Sequence, residues 1–258
     1  MFEGTAITKA NPAQFSFTVP LTVEKDESIV MDLVADLVGT SSSGVTNQQL
    51  KSFNLFIQTG SSTFKLENCV IASANIAFNP REQFAMSVEG QGVKLTRVGD
   101  ENYNLGTIQS ESSTRTPLLV YPDITIDSLN MSSIIGVNVQ IQNDINWTPF
   151  TTLQNSLSVT DSSNAMFPTT YAVGKRIVSG AVRQYQTDNT VTQFDDFSTN
   201  SNMLIKAKKV SDGSTFWQLQ INPAMYTARM EAADVYTQSY DFRSTDNTAL
   251  GTRITAYN

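Results

Sequence analysis

Apolar residues recur at every second position along most of the chain, and this spacing constrains the fold more than any other feature of the sequence. The alternation is clear at 15–19, 53–57 and 70–78, and after the turn-like residues 79–82 it resumes at 84–88. A period of two places successive side chains on opposite faces of a strand, so each of these segments predicts a β-strand. Residues 69–89 together predict a β-hairpin with a proline-containing turn.

The rest of the chain shows many further strand segments and few helical ones. Short helices are predicted at 148–155 and 193–198, whereas the aliphatic residues of 26–38 suit a helix or a strand equally. The polar residues 39–49 predict a flexible loop. Later strands are predicted at 134–141, 176–186, 202–210, 214–222, 226–231 and 235–242. Many short strands joined by turns indicate an all-β sandwich or barrel.

A serine-rich stretch that ends at Pro117 separates two groups of strands. The 258 residues are enough for two domains, each with its own core. We predict a first β-domain at 1–115, a linker at 116–130 and a second β-domain at 131–258. Residues 69–78 resemble 176–185 in having β-branched, then small, then aromatic residues, which suggests duplication; chance similarity between strands is the alternative.

The charge balance excludes some functions. The net charge is −7, and only 16% of residues are charged. Phosphate neutralisation by lysine and arginine supplies most nonspecific affinity for nucleic acid, so a basic DNA-binding groove is not expected. Residues 1–6 show no signal peptide, and no apolar run reaches the ~20 residues of a membrane helix. We therefore expect no membrane anchor. The single cysteine, Cys69, allows no intrachain disulfide, which fits assembly in a reducing cytoplasm.

The residue content also argues against an enzyme. The chain contains no histidine, which removes Ser-His-Asp catalysis and histidine-ligated metal sites, and no cofactor is expected. Asp195 and Asp196 are adjacent acids, but neighbours in sequence point in different directions and do not form a glycosidase pair by themselves. Trp147 and Trp217 are either core or interface residues, or a platform for stacking on a sugar.

Three stretches of sequence together resemble the tail tube proteins of long-tailed, siphovirus-type phages, in the form in which one chain carries two tube domains. The first covers 14–37, with Gln14-Phe-Ser-Phe-Thr-Val-Pro20. The second covers 50–88, with Asn68-Cys-Val-Ile-Ala-Ser-Ala-Asn-Ile-Ala-Phe78. The third covers 145–185, with Lys175-Arg-Ile-Val-Ser-Gly-Ala-Val182. The family's glycine and tryptophan motifs in the second hairpin strand are replaced here by Glu82-Gln-Phe-Ala and Val88-Glu-Gly90.

The resemblance implies a β-sandwich with a short flanking helix in each domain, and hairpins that join neighbouring subunits in an inner β-barrel. Closing the barrel removes exposed strand edges. Two domains per chain imply a trimeric ring with pseudo-six-fold symmetry. On this basis Val70, Ala72, Ala74, Ile76 and Phe78 face the packed layer, whereas Ser73, Asn75, Ser87 and Glu89 face the lumen. An acidic and neutral-polar lumen would let DNA slide through without specific binding.

The resemblance also implies partners and contact residues. The partners are further copies of the chain in the ring and in stacked rings, the tape measure protein, the tail terminator and the distal tail protein, all within the virion tail. The segment 39–49, with Ser41, Ser42 and Ser43, is expected to contact the next ring. Lys206 and Lys208 either protect an edge strand or contact another subunit. Alternative functions are a tail terminator or capsid decoration protein, a carbohydrate-binding β-sandwich, or a carboxylate-based glycosidase.

Overall fold

The computed structural model describes residues 11–24, 28–35, 37–42, 45–79, 82–106, 113–127, 129–147, 167, 171–187, 201–232, 235–244 and 252–256. This part of the chain is almost entirely β, with one short helix, α1, at Ser28–Ala35. The all-β prediction is confirmed. The strands are β1 Ala13–Pro20, β2 Leu37–Ser42, β3 Val45–Leu50, β4 Phe53–Gln58, β5 Thr63–Phe78, β6 Ala85–Gly92, β7 Leu95–Gly99, β8 Val120–Ile126, β9 Leu129–Asn130, β10 Ile134–Trp147, β11 Tyr171–Tyr185, β12 Ser201–Lys209, β13 Thr215–Ala232, β14 Tyr236–Ser244 and β15 Thr252–Ala256.

Seven of these strands lie side by side in the order β1-β6-β5-β10-β11-β14-β13, and every pairing along this path is antiparallel. We call this array the seven-strand sheet. The predicted hairpin at 69–89 is confirmed as β5–β6. The two halves of the chain meet at β5 and β10, where Ile76 lies opposite Val139. Both halves therefore contribute to one continuous sheet.

The remaining strands of the second half fold back over the seven-strand sheet and complete a sandwich. Strand β13 belongs to both layers, because its first part pairs with β12 and β15 and its last part pairs with β14. Strand β12 also pairs with β8, which pairs in turn with the two-residue β9. Among the described residues, the sheet is open at both ends and does not close on itself.

The core lies between these two layers. Trp217 on β13 is fully buried, and its ring centroid lies 6.2 Å from that of Phe78 and 6.4 Å from that of Phe84. These contacts join the outer layer to the end of the β5–β6 hairpin. The other fully buried large side chains are Tyr240, Phe84, Phe216, Leu21, Ile76, Met86, Leu118, Ile124, Ile126 and Ile141.

Four of the five residues predicted to face the packed layer are buried, but Ala72 is not. A register shift separates Ile71, opposite Gly90, from Ser73, opposite Glu89, so that Ala72 is the extra residue of a β-bulge. Ile71 is only 3% exposed and takes the core position. The prediction for Ala72 is wrong because a bulge changes the phase of the alternation. Val70, which precedes the bulge, is buried but lies opposite Gln91, on the other side of the sheet from Ile71.

The described residues between 28 and 50 form a helix and a pair of antiparallel strands. Helix α1 packs Val34 into the core, and the buried Arg176 of β11 donates a hydrogen bond to the carbonyl oxygen of Val34. A cation at the carboxyl end of a helix also interacts favourably with the helix dipole. The loop predicted at 39–49 is wrong, because β2 and β3 pair as a separate two-stranded antiparallel sheet in which Ser41 lies opposite Thr46. The polar composition of these residues does not prevent backbone hydrogen bonding.

Residues 116–130, predicted to link two domains, carry structure of their own. They contain β8 and β9, and Leu118 is a core residue. The division into two domains stays a prediction. The segments predicted as separate strands at 214–222 and 226–231 form the single strand β13. The helices predicted at 148–155 and 193–198 lie outside the described residues.

Candidate lumen face and assembly surfaces

The seven-strand sheet has one apolar face, which packs on the core, and one polar face. The register places Ser73 opposite Glu89 and Asn75 opposite Ser87 on the same side of the sheet. All four residues predicted to face the lumen therefore share the polar face. The hydroxyl of Ser73 donates to Glu89 Oε2 at 3.3 Å, and the hydroxyls of Thr18 and Ser87 lie 3.0 Å apart.

The polar face continues onto the second half of the chain. Gln140 lies opposite Asn75 on one side and opposite Ser179 on the other, and Ser179 lies opposite Arg243. Strand alternation gives the remaining members. They include Gln14, Ser16 and Thr18 on β1, Asn138 and Gln142 on β10, Arg183 on β11, Asp241 on β14, and Thr227, Arg229 and Glu231 on β13, together with the apolar residues Ala77 on β5 and Ile177 and Ala181 on β11.

Charges on the polar face are concentrated on the last three strands. Arg183 lies 2.9 Å from Glu231, and Arg229 lies 2.6 Å from Asp241. Exposed ion pairs of this kind contribute little to stability, but they neutralise one another. Glu89 and Arg243 are the other charged residues among the members named above. Together with the two ion pairs, they make three carboxylates and three guanidinium groups. The charges of these members are therefore balanced, without the acidic excess that the net charge suggested.

An open hollow lies on the polar face beside the β-bulge of β5. Its volume is about 390 Å³, and it is lined by Gln14, Phe15, Ser16, Ala72, Glu89, Gly90 and Gln91. Glu89 is the one ionisable residue in this lining. Because glycosidase chemistry requires two carboxyl groups, the hollow does not provide an acid–base pair.

The structure also places the other residues considered for chemistry. Trp217 is fully buried and cannot stack on a sugar, whereas Trp147 is half-buried and donates its indole N–H to Gln91 Oε1 at 2.6 Å. Asp195 and Asp196 lie outside the described residues. In the described part of the chain, no group of three acidic, cysteine or histidine residues could hold a metal ion.

The lysines of β12 do not protect a sheet edge, because β12 is paired on both sides, with β8 and with β13. Lys208 Nζ lies 2.6 Å from Asp123 Oδ2 on β8, and this hydrogen bond raises the pKa of Lys208. Lys206 lies opposite Asp123 and Gln218. The edge-strand interpretation is wrong, and the subunit-contact alternative stays a prediction. Ser41 and Ser42 lie on β2, whereas Ser43 lies outside the described residues.

The sequence interpretation missed the charged members of the polar face on β11, β13 and β14. Alternation within each strand could have grouped Arg229 with Glu231, or Asp241 with Arg243. It could not show that these pairs continue the face of Ser73 and Asn75, because that depends on which strands pair and in which register.

No helix of the described part is long and apolar enough to cross a membrane.

A comparison of the sequence with curated proteins finds no match. A family model, described as the bacteriophage baseplate tube protein family, matches residues 2–252. The chain belongs to the bacteriophage baseplate tube protein family.

Proposed function

We propose that the chain is a non-enzymatic subunit that closes with copies of itself into a ring of the phage tube, with the polar face lining the channel through which DNA passes. Membership of the family makes it a structural component of the phage tail. The observation that carries the rest is the mainly polar face of the seven-strand sheet, to which both halves of the chain contribute. An open sheet with one polar and one apolar face can line an aqueous channel once copies close it into a barrel.

The side chains of this face suit a channel for DNA. From β1 to β10 they are short or neutral, chiefly Ser, Thr, Asn and Gln, with Glu89 as an exception. Farther along, arginines and carboxylates neutralise one another as pairs. A surface with little net charge neither attracts phosphates strongly nor needs to displace their counterions. DNA would therefore pass along it without being held.

The proposed ring contains three chains. Because the two halves of each chain contribute neighbouring parts of one sheet, three chains give a ring with six similar sectors. Stacked rings would form a tube of the kind found in siphovirus-type major tail tubes, whereas a ring confined to the baseplate would end after one or a few layers. In both arrangements the ends of the tube would meet other tail proteins, for which we propose the tape measure protein, the tail terminator and the distal tail protein.

Cryo-electron microscopy and mass photometry of the purified chain test this proposal. We expect rings of three copies, with Ser73, Asn75, Ser87 and Glu89 on the inner wall. Rings of six copies would contradict the trimer, and a chain that stays monomeric at every concentration would contradict ring formation. Long tubes would favour a major tail tube role, and isolated rings would favour a role confined to the baseplate.

Replacing Asn75 and Ser87 together by lysine should convert the polar face into a DNA-binding surface. The two residues lie opposite each other, so a trimeric ring would gain six positive charges at one level of the channel. We expect the wild-type ring to show no measurable binding to duplex DNA at ~150 mM salt, and the variant to bind with an affinity that falls as salt rises. Electrophoretic mobility shift at several salt concentrations measures this.

A matched control carries lysines at Ser61 and Asn102, which are exposed and lie in turns outside the strands of the seven-strand sheet. This control has the same net charge as the Asn75 and Ser87 variant. If both variants bound DNA equally, total charge rather than the channel wall would explain the binding, and the assignment of the polar face to the lumen would fail.

A further inference from the structure

The seven-strand sheet has two free edges in the described part of the chain, and they match each other. One is β1, which pairs only with β6. The other is the last part of β13, from Met225 to Ala232, which pairs with β14 on one side and lies beyond the last β12 partner, Ala224. Both edges are eight residues long. Free strand edges of this length favour pairing with another chain unless they are protected.

The apolar side of β13–β14 is uncovered at this edge. Ala228 and Met230 lie opposite the buried residues Tyr240 and Gln238, so they point toward the core side of the sheet. They are nevertheless exposed, Met230 by 49%, and Tyr236 beside them is exposed by 57%. The core layer therefore ends before the sheet does, and the described residues cover these apolar side chains only in part.

The β1 edge shows the same arrangement in a weaker form. Phe15, Phe17 and Val19 point toward the core side and are only half-buried. Gln14, Ser16 and Thr18 point to the polar face. On β13 the polar face continues with Thr227, Arg229 and Glu231. Placed side by side, the two edges would join polar face to polar face and apolar side to apolar side.

The strand directions decide how the edges can meet. Six antiparallel pairings separate β1 from β13, so the two strands run in the same direction. Rotation about a tube axis that runs roughly along the sheet preserves this direction. It therefore brings β13 of one chain beside β1 of the next as a parallel pair, in a head-to-tail contact that closes into a ring.

We infer that the β13 edge at 225–232 and the β1 edge of the neighbouring copy form the seam between subunits in the ring. This inference rests on the proposed function, because it names the contact by which the ring would close. The seam covers Met230 and Tyr236 with the neighbour's apolar side and extends the polar face across the junction. It also removes both free edges from solvent.

Cysteine crosslinking tests the seam directly. The native thiol of Cys69 is buried, and this burial raises its pKa to about 11, so introduced cysteines react selectively. A chain with Ser16→Cys together with Thr227→Cys, Arg229→Cys or Glu231→Cys should give covalent dimers and trimers after oxidation or with a short bis-maleimide. The three β13 positions sample neighbouring registers on the same face.

Three controls distinguish a crosslink at the seam from crosslinks at other contacts. Ser16→Cys with Asn138→Cys, an exposed residue in the middle of the sheet, should give no covalent trimer. Each single-cysteine chain should remain monomeric on a denaturing gel. Crosslinking of Ser16→Cys with itself would mean that β1 pairs with β1, and this would overturn the head-to-tail seam.

A second variant examines the apolar side of the seam. Met230→Lys should leave the isolated subunit folded, because the side chain is already half-exposed, but should raise the concentration required for ring formation by about tenfold or more. Leu95→Lys is the matched control, because Leu95 is 53% exposed and lies on β7, away from both edges. Equal effects of the two variants would contradict the seam.

The two proposals fail in different ways. Absence of rings in mass photometry of the unmodified chain would contradict the proposed function. Normal rings without crosslinks at any of the three β13 positions would support ring formation but would contradict the seam between β13 and β1.

Discussion

Gly180→Ala is expected to lower the free energy of unfolding by about 3 kcal/mol or more. Gly180 lies on β11 between Val139 and Phe242. A Cβ atom at this position would lie 2.0 Å from the backbone oxygen of Asn138 and 2.7 Å from Cζ of Phe242. A backbone oxygen in a neighbouring strand cannot move without disturbing the ladder between β10 and β11. The methyl group would therefore strain the centre of the seven-strand sheet.

Gly136→Ala is the matched control for this substitution. Gly136 lies on the adjacent strand β10, and a Cβ there would meet no atom within 4 Å. Replacing such a glycine should be neutral or should stabilise the fold by about 0.5–1 kcal/mol, because alanine has less backbone entropy to lose. Chemical denaturation followed by circular dichroism measures both. Similar effects of the two substitutions would show that the close approach at Gly180 does not matter.

Gly90 occupies a comparable position on β6. Its Cβ would lie 2.2 Å from Cζ of Phe15 and 2.4 Å from the backbone oxygen of Val70. Phe15 covers Gly90 from β1 just as Phe242 covers Gly180 from β14. In each half of the chain, an aromatic ring thus packs across a strand glycine on the apolar side. Such glycines mark close approach within a sheet, and they explain why both positions require the smallest residue.

Trp217→Ala is expected to lower the free energy of unfolding by about 3–5 kcal/mol, the usual loss for a large aromatic residue in a core. Trp217 is fully buried and contacts Phe78 and Phe84, which lie at the end of the β5–β6 hairpin. Its removal would leave a cavity between the two layers of the sandwich. Because the hairpin carries the predicted lumen residues, we also expect ring formation to weaken. Denaturant titration and mass photometry measure the two effects.

Trp217→Phe distinguishes the contribution of aromatic packing to stability from the cost of the buried indole nitrogen. The indole nitrogen of Trp217 is buried and has no hydrogen-bond partner among the described residues. An unpaired buried donor costs about 1–3 kcal/mol, so removing it should offset part of the lost packing. We therefore expect Trp217→Phe to be much less destabilising than Trp217→Ala. A loss as large as that of alanine would mean that the indole nitrogen is not a cost to the fold.

Local alternation in the sequence was sufficient for the strands of the polar face in the first half. Ser73, Asn75, Ser87 and Glu89 could be assigned to one surface because a hairpin with a short turn fixes its own partner strand and nearly fixes its register. Where the alternation is interrupted, at the bulge of Ala72, the prediction from sequence was wrong. The pairing of 39–49 as a hairpin was missed because backbone hydrogen bonds form with any side chains and leave little trace in composition.

The sequence by itself thus determined that the chain is all-β, that it contains the β5–β6 hairpin, and that it has no histidine for catalysis. Only the tertiary structure decided that β5 pairs with β10, that β12 lies inside a sheet, and that Arg183, Arg229 and Asp241 extend the polar face. The physical reason is that side-chain alternation is set within each strand. The choice of a distant partner strand is instead set by backbone hydrogen bonds and by packing across the whole core.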